Sequence, residues 1–92
     1  MWPLYTVTAL ATASATYDAP NIVGGTQTTT TISVPGAALG DFAAASFSLS
    51  LQGITMTAYV SATDTVTVVL YNGSGADINL ASGTLRAKVF KQ

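Results

Sequence analysis

Apolar and polar residues alternate along most of this chain with a period of two positions. The clearest case is residues 54–61, ITMTAYVS, where every second residue is apolar and every residue between them carries a hydroxyl group. A period of two is typical of a β-strand that buries one face and exposes the other. The same alternation predicts further strands over residues 4–17, 27–34, 45–51, 65–71 and 85–90.

Turn-forming residues separate these predicted strands. Pro35-Gly36 ends the second strand, Gln52-Gly53 separates the third from the fourth, and residues 61–64 predict a four-residue hairpin loop. Asn72-Gly73 predicts a turn with a positive φ angle. No stretch shows a helical period, so we predict a single all-β domain over residues 1–92. Its expected fold is a small antiparallel β-sandwich, jelly-roll-like or Ig-like, of six to eight strands.

The inward positions of the predicted strands supply the expected hydrophobic core. A domain of this size buries about 60–70% of its unfolded surface, which leaves a small net stability. Oligomerisation is one common way to add to it. The expected core residues share the apolar phase of the alternation: Val7, Ile32, Val34, Phe47, Leu49, Ile54, Met56, Val60, Val66, Val68, Leu70, Leu85 and Val89.

The composition excludes several classes of function. Only 8% of the residues are charged, and the chain contains no histidine and no cysteine. Disulfides, zinc clusters and nucleophiles activated by histidine are therefore excluded. A formal net charge of -1 does not suit binding to phosphate backbones, so we expect no nucleic-acid partner. We also expect no cofactor, no metal and no enzymatic activity.

The chain does not resemble a membrane protein or a secreted one. Residues 42–63 contain no charged residue, but serine and threonine occur throughout this stretch. A membrane-spanning helix needs about 20 mostly apolar residues, so this stretch does not predict one. The first five residues show neither the basic start nor the compact apolar segment of a secretory signal. We therefore expect no membrane partner, and a chain that is made and folded inside a cell with all its residues retained.

The four acidic residues are all aspartates next to turn-forming residues: Asp18, Asp41, Asp64 and Asp77. Two carboxylates could in principle serve a glycosidase. Aspartate at the end of a strand more often accepts hydrogen bonds from backbone N–H groups of a turn, and we favour that interpretation for all four.

The two ends of the chain hold the candidate partner contacts. All three cations, Arg86, Lys88 and Lys91, lie in the last seven residues, where they could bind an acidic partner or a neighbouring copy. The alternative is that they protect an edge strand from unwanted pairing. At the other end, Trp2, Leu4 and Tyr5 form an apolar arm over residues 1–5, which either anchors a partner or covers its own domain.

The expected surface is unusual because it contains few ions. Small soluble domains commonly carry about 25–35% charged residues on their surface. Strand faces made of threonine, serine and alanine can contact another protein without desolvating ions. We therefore expect faces that are covered by other proteins in use; a monomer coated with hydroxyl groups is the alternative.

From about Ile32 onward the sequence resembles a module of structural proteins from tailed bacteriophages and prophages. The most specific stretches are residues 60–68, VSATDTVTV, the Asn72-Gly73 turn that follows, and residues 81–86, ASGTLR. In that family the module is a compact β-sandwich without catalytic residues. A copy with so few residues ahead of it is similar to a small capsid-decorating, or cement, protein.

The resemblance implies a non-enzymatic virion protein that is made in the host cytoplasm and lies on the capsid exterior. It would stabilise the phage head by bridging major capsid protein subunits, as a homotrimer. One alternative is a tail, baseplate or head-fibre component that binds a host surface. Another is a free carbohydrate- or ligand-binding module, whose mark would be a concave pocket lined by aromatic residues drawn from Trp2, Tyr5, Tyr17, Tyr59 and Tyr71.

Overall fold

The computed structural model describes residues 9–91 and is all-β over that range, without a helix. None of these residues forms a helix that could cross a membrane. Its six strands are β1 (Ala9–Tyr17), β2 (Gln27–Ser33), β3 (Phe42–Phe47), β4 (Ile54–Ala62), β5 (Thr65–Asn72) and β6 (Gly83–Phe90).

The strands form two three-stranded sheets in which all neighbours are antiparallel. Sheet I has the order β1-β6-β3, and sheet II has the order β2-β5-β4. Only β4 and β5 follow each other within one sheet; every other connection passes from one sheet to the other. The last strand, β6, therefore occupies the centre of sheet I, between two strands from the first half of the chain.

The two sheets share one hydrophobic core, and the alternation predicts most of it. Nine of the thirteen expected core residues are buried, and Phe47 and Met56 pack against them half-buried. Val7 lies outside the described residues. The buried residues of this predicted set are Ile32, Val34, Ile54, Val60, Val66, Val68, Leu70, Leu85 and Val89.

Leu49 is the core prediction that the structure contradicts, because its side chain is 45% exposed. The alternation continues to Leu51, but β3 ends at Phe47. At Ser48 the chain turns away from sheet I, and two hydrogen bonds fix that point. The Ser48 N–H donates to the Thr84 carbonyl at 3.0 Å, and the Thr84 N–H donates to Ser48 Oγ at 2.8 Å. Leu49 therefore lies on a bend outside the sheet.

Part of the core comes from connections rather than strands. Ile22 and Ile78 form an isolated antiparallel bridge, with N–H to carbonyl distances of 2.9 and 3.0 Å, and both side chains are buried. Leu80 is buried beside them in the same cluster. The alternation does not predict these residues because they lie in turn-rich segments without a regular period.

The β4–β5 hairpin is tighter than its sequence predicts. Its link is the two residues Thr63 and Asp64, and a register shift between Val60 and Ala62 accompanies it. Asp64 adopts a φ angle of 60°, and its carboxylate accepts a hydrogen bond from the Gly36 N–H at 2.8 Å. The hairpin is thereby tied to the connection between β2 and β3.

Asn72 also departs from its prediction. Neither it nor Gly73 has a positive φ angle; Asn72 ends β5 and is completely buried. Its side-chain amide donates to the Ile22 and Ala76 carbonyls, both at 2.8 Å. Its side-chain oxygen accepts from the Ser74 N–H at 2.9 Å and from the Ser74 hydroxyl at 2.7 Å. Asn72 thus joins the β1–β2 and β5–β6 connections.

Candidate docking faces

Arg86 and Lys88 lie on the outward face of sheet I. They alternate along β6 with the buried Leu85, Ala87 and Val89, so both cations point away from the core. Protection of an edge strand is the wrong interpretation for them, because β6 pairs with β1 on one side and with β3 on the other. The two charges therefore lie at the middle of the sheet.

Short side chains surround the two cations. Ser14 and Ser46 flank Arg86 in register, while Thr12 and Ala44 flank Lys88. A shallow groove follows each side of β6, with volumes of 280 Å³ toward β3 and 370 Å³ toward β1. We call these six residues the cationic face: Thr12, Ser14, Ala44, Ser46, Arg86 and Lys88.

The cations of this face have no opposite charge beside them in the described part of the chain. Neither Arg86 nor Lys88 forms an ion pair with any of residues 9–91. Lys91 differs, since its ammonium lies 2.9 Å from the Asp41 carboxylate and 3.3 Å from the Gly36 carbonyl. Of the three predicted contact cations, the structure therefore brings two together and places the third in an internal pair.

An aromatic pair borders the cationic face. Phe42 lies opposite Phe90 in register, and both share the outward phase of Arg86 and Lys88. Phe42 is 65% exposed. Sequence analysis missed Phe42 as a surface residue, although Phe90 already shared the phase of the two cations.

Strand β1 begins beside this aromatic pair. Ala9, the first described residue, is in register with Phe90. The predicted contacts Trp2, Leu4 and Tyr5 lie outside the described residues, so their role stays a prediction.

The outward face of sheet II has a different chemistry. Its side chains carry hydroxyl, amide or aliphatic groups and no charge. One hydrogen bond crosses it, from the Thr67 hydroxyl to the Ser61 hydroxyl at 2.7 Å. We call it the hydroxyl face after its threonines: Thr29, Thr31, Thr55, Thr57, Thr65 and Thr67.

Three of the four aspartates hold turns, as the sequence predicts. Besides Asp64, the Asp41 carboxylate accepts from the Ala38 N–H at 3.1 Å. Asp77 accepts from the Asn21 side-chain amide at 3.1 Å and from the Gly24 N–H at 3.4 Å. For Asp18 the turn role stays a prediction.

The described tyrosines do not line one pocket. Tyr59 and Tyr71 lie on different strands of the hydroxyl face, 54% and 43% exposed, and Tyr17 lies at the end of β1 in the other sheet. Neither groove beside β6 has an aromatic lining residue. This arrangement gives no support to an aromatic ligand pocket built from these three residues.

Tyr17 provides a test of how the sheets pack at this end. Burial raises the pKa of its phenol above the ordinary value of 10.0, and a hydrogen bond with the Thr28 side chain partly opposes the rise. A raised pKa favours the neutral phenol in the folded state. Its contribution to stability is therefore fully present below about pH 10 and is lost as the pH rises through the folded pKa.

The difference in phenolate absorbance between the wild type and Tyr17→Phe reports the ionisation of Tyr17. We expect this difference to rise with a midpoint above pH 10. The measurement is an alkaline spectrophotometric titration, with far-ultraviolet circular dichroism to follow unfolding. A difference curve with its midpoint at or below the ordinary tyrosine value would contradict the burial of this phenol.

Comparisons with known proteins do not assign this chain to a family. No protein-family model matches the sequence, and no curated protein or solved structure is significantly similar to it.

Proposed function

We propose that this protein is a non-enzymatic structural component of a virus particle, a capsid decoration or cement protein of a phage head. The observation that carries the proposal is the chemistry of the two outward sheet faces. One has no charge, and the other has two cations among small residues. Covering such faces desolvates few ions, which suits permanent contact with other proteins.

We also propose that the two sheets form a small β-sandwich of the jelly-roll-like type. In an Ig fold the first two strands share a sheet, whereas β1 and β2 belong to different sheets here. The repeated passage between sheets supports the jelly-roll-like alternative, an architecture used in viral capsid proteins. Fold alone does not fix function, so the weight rests on the two faces and on the sequence resemblance.

In the proposed mechanism, each copy bridges neighbouring major capsid protein subunits on the capsid exterior. Because it would bind the assembled shell and not free subunits, its binding energy would stabilise the shell. Association as a homotrimer would multiply the number of contacts, and the resulting avidity would hold the protein in place even where a single contact is weak.

The proposal predicts co-sedimentation with empty heads of the phage whose genome carries this gene. It also predicts a native mass of three times the 9.3 kDa monomer. Both are measured on purified protein, by light scattering after size-exclusion chromatography and by ultracentrifugation with heads. A monomer that stays in the supernatant would contradict the proposal.

Three further measurements test the arm and separate the alternatives. Removal of residues 1–5 should weaken sedimentation with heads more than it lowers the melting temperature, if the arm contacts the shell. Binding to host cells but not to heads would instead support a tail, baseplate or head-fibre component. Saturable binding on a glycan array without head binding would support a ligand-binding module.

A further inference from the structure

We infer that the cationic face binds a protein surface with two carboxylates about 7 Å apart, next to an apolar side chain that covers Phe42. This inference rests on the proposed function, because it names the chemistry of the partner that covers the face. It concerns the outward face of sheet I.

The need for carboxylates follows from the cost of burying charge. Burying an ion without a counterion is very unfavourable. No described residue pairs with Arg86 or Lys88. A protein that covers this face must therefore bring its own anions.

The spacing follows from the strand. Arg86 and Lys88 are two residues apart on the same side of β6, which separates their Cα atoms by about 7 Å. Alternate residues of an extended partner segment have the same separation, so two acidic residues at positions i and i+2 match the two cations. Arginine can bind one carboxylate through two parallel N–H···O bonds, while lysine acts as a point charge.

The neighbouring residues favour close contact with a protein. Ser14, Ser46, Thr12 and Ala44 are short, so a partner segment can approach the strand backbone along both grooves. The exposed Phe42 ring adds an apolar contact at one end of the face. Aromatic residues and arginine are enriched among the residues that dominate protein interfaces.

Other occupants fit less well. A second copy placed on the same face would bring Arg86 and Lys88 against the same two cations. A nucleic acid requires more cations, because each neutralised phosphate needs its own. An anionic polysaccharide could also satisfy the two charges, and the competition with heparin described below tests that occupant.

A peptide titration tests the inference without any shell. The probe is an extended peptide with the sequence Leu-Thr-Glu-Thr-Glu-Thr, and its control has Gln in place of both Glu residues. We expect the Glu peptide to shift amide resonances of β6 and of its neighbours in β1 and β3, saturably and less strongly as salt rises. Equal binding of the Gln peptide, or shifts confined to the hydroxyl face, would overturn the inference.

Two variants provide the matched comparison. Arg86→Gln/Lys88→Gln should weaken binding of the Glu peptide and of empty heads at least tenfold, with unchanged native mass and melting temperature. Lys91→Gln removes a cation that is already paired with Asp41, and it should bind both as the wild type does. Heparin and inorganic phosphate serve as competitors for head binding. If either displaces the protein from heads at the same concentration as the Glu peptide does, the partner group is not specifically a protein carboxylate and the inference is overturned.

The two measurements also separate this inference from the proposed function. If wild-type protein binds heads and the double variant binds them equally well, the inference is wrong and the proposed function stands. If wild-type protein binds the Glu peptide through the cationic face but never binds heads, the proposed function is wrong and the charge chemistry of the face stands.

Discussion

Replacing Asn72 with alanine is expected to lower the free energy of unfolding by about 3 kcal/mol. The Asn72 amide is completely buried and satisfies the carbonyls of Ile22 and Ala76 as well as both donors of Ser74. Each of these four hydrogen bonds contributes about 0.5–1.5 kcal/mol, and together they give about 3 kcal/mol because the exposed groups of Ser74 and Ala76 regain part of the loss from water. For a domain of this size the melting temperature should fall by roughly 12–24 °C.

Thermal and urea unfolding followed by circular dichroism measure this loss. Asn79→Ala is the matched control, because Asn79 is exposed, and it should change the free energy by less than about 0.5 kcal/mol. Similar effects of the two substitutions would show that the Asn72 network does not hold the two connections together.

Leu70→Ala is expected to cost about 2–5 kcal/mol, because Leu70 lies completely buried in the core between the sheets. The cost combines the lost transfer of the side chain from water with the cavity that remains. The same substitution at Leu49 should cost less than about 1 kcal/mol, since that side chain is 45% exposed.

The comparison of these two leucines is informative because the sequence pattern treats them alike. Urea denaturation of both variants, analysed with a common slope, gives the two free-energy differences. A Leu49→Ala variant as destabilised as Leu70→Ala would mean that β3 continues past Phe47 into the core.

The alternation predicts the strands well where one face of a sheet is buried. In β4 and β5 it gives the correct buried residues, because period-two burial is a local property of an extended chain. It fails at Leu49, where a long-range contact of Ser48 with Thr84 ends the strand. The turn predicted at Asn72-Gly73 is a separate failure, because Asn72 continues the buried phase of β5 and its partners include a carbonyl 50 positions away.

The residues of the candidate site could be predicted from the sequence, but their arrangement in the fold could not. Arg86 and Lys88 are evident from the sequence because cations are so few. Their place at the centre of a sheet depends on the order of strands, which long-range pairing decides. The pairing of Lys91 with Asp41 joins residues 50 positions apart, and no local pattern indicates it.

The central place of β6 has a consequence for the order of assembly during synthesis. Sheet II is complete once the chain reaches Asn72, whereas β1 and β3 have no partner in sheet I until β6 joins them. Chains emerge from the ribosome with the N-terminal part first. A nascent or truncated chain without β6 would therefore lack Arg86 and Lys88 together with the core residues Leu85, Ala87 and Val89. The strand that completes folding thus also carries the proposed binding groups. Prematurely terminated copies would therefore lack the groups that the proposed carboxylate partner would bind.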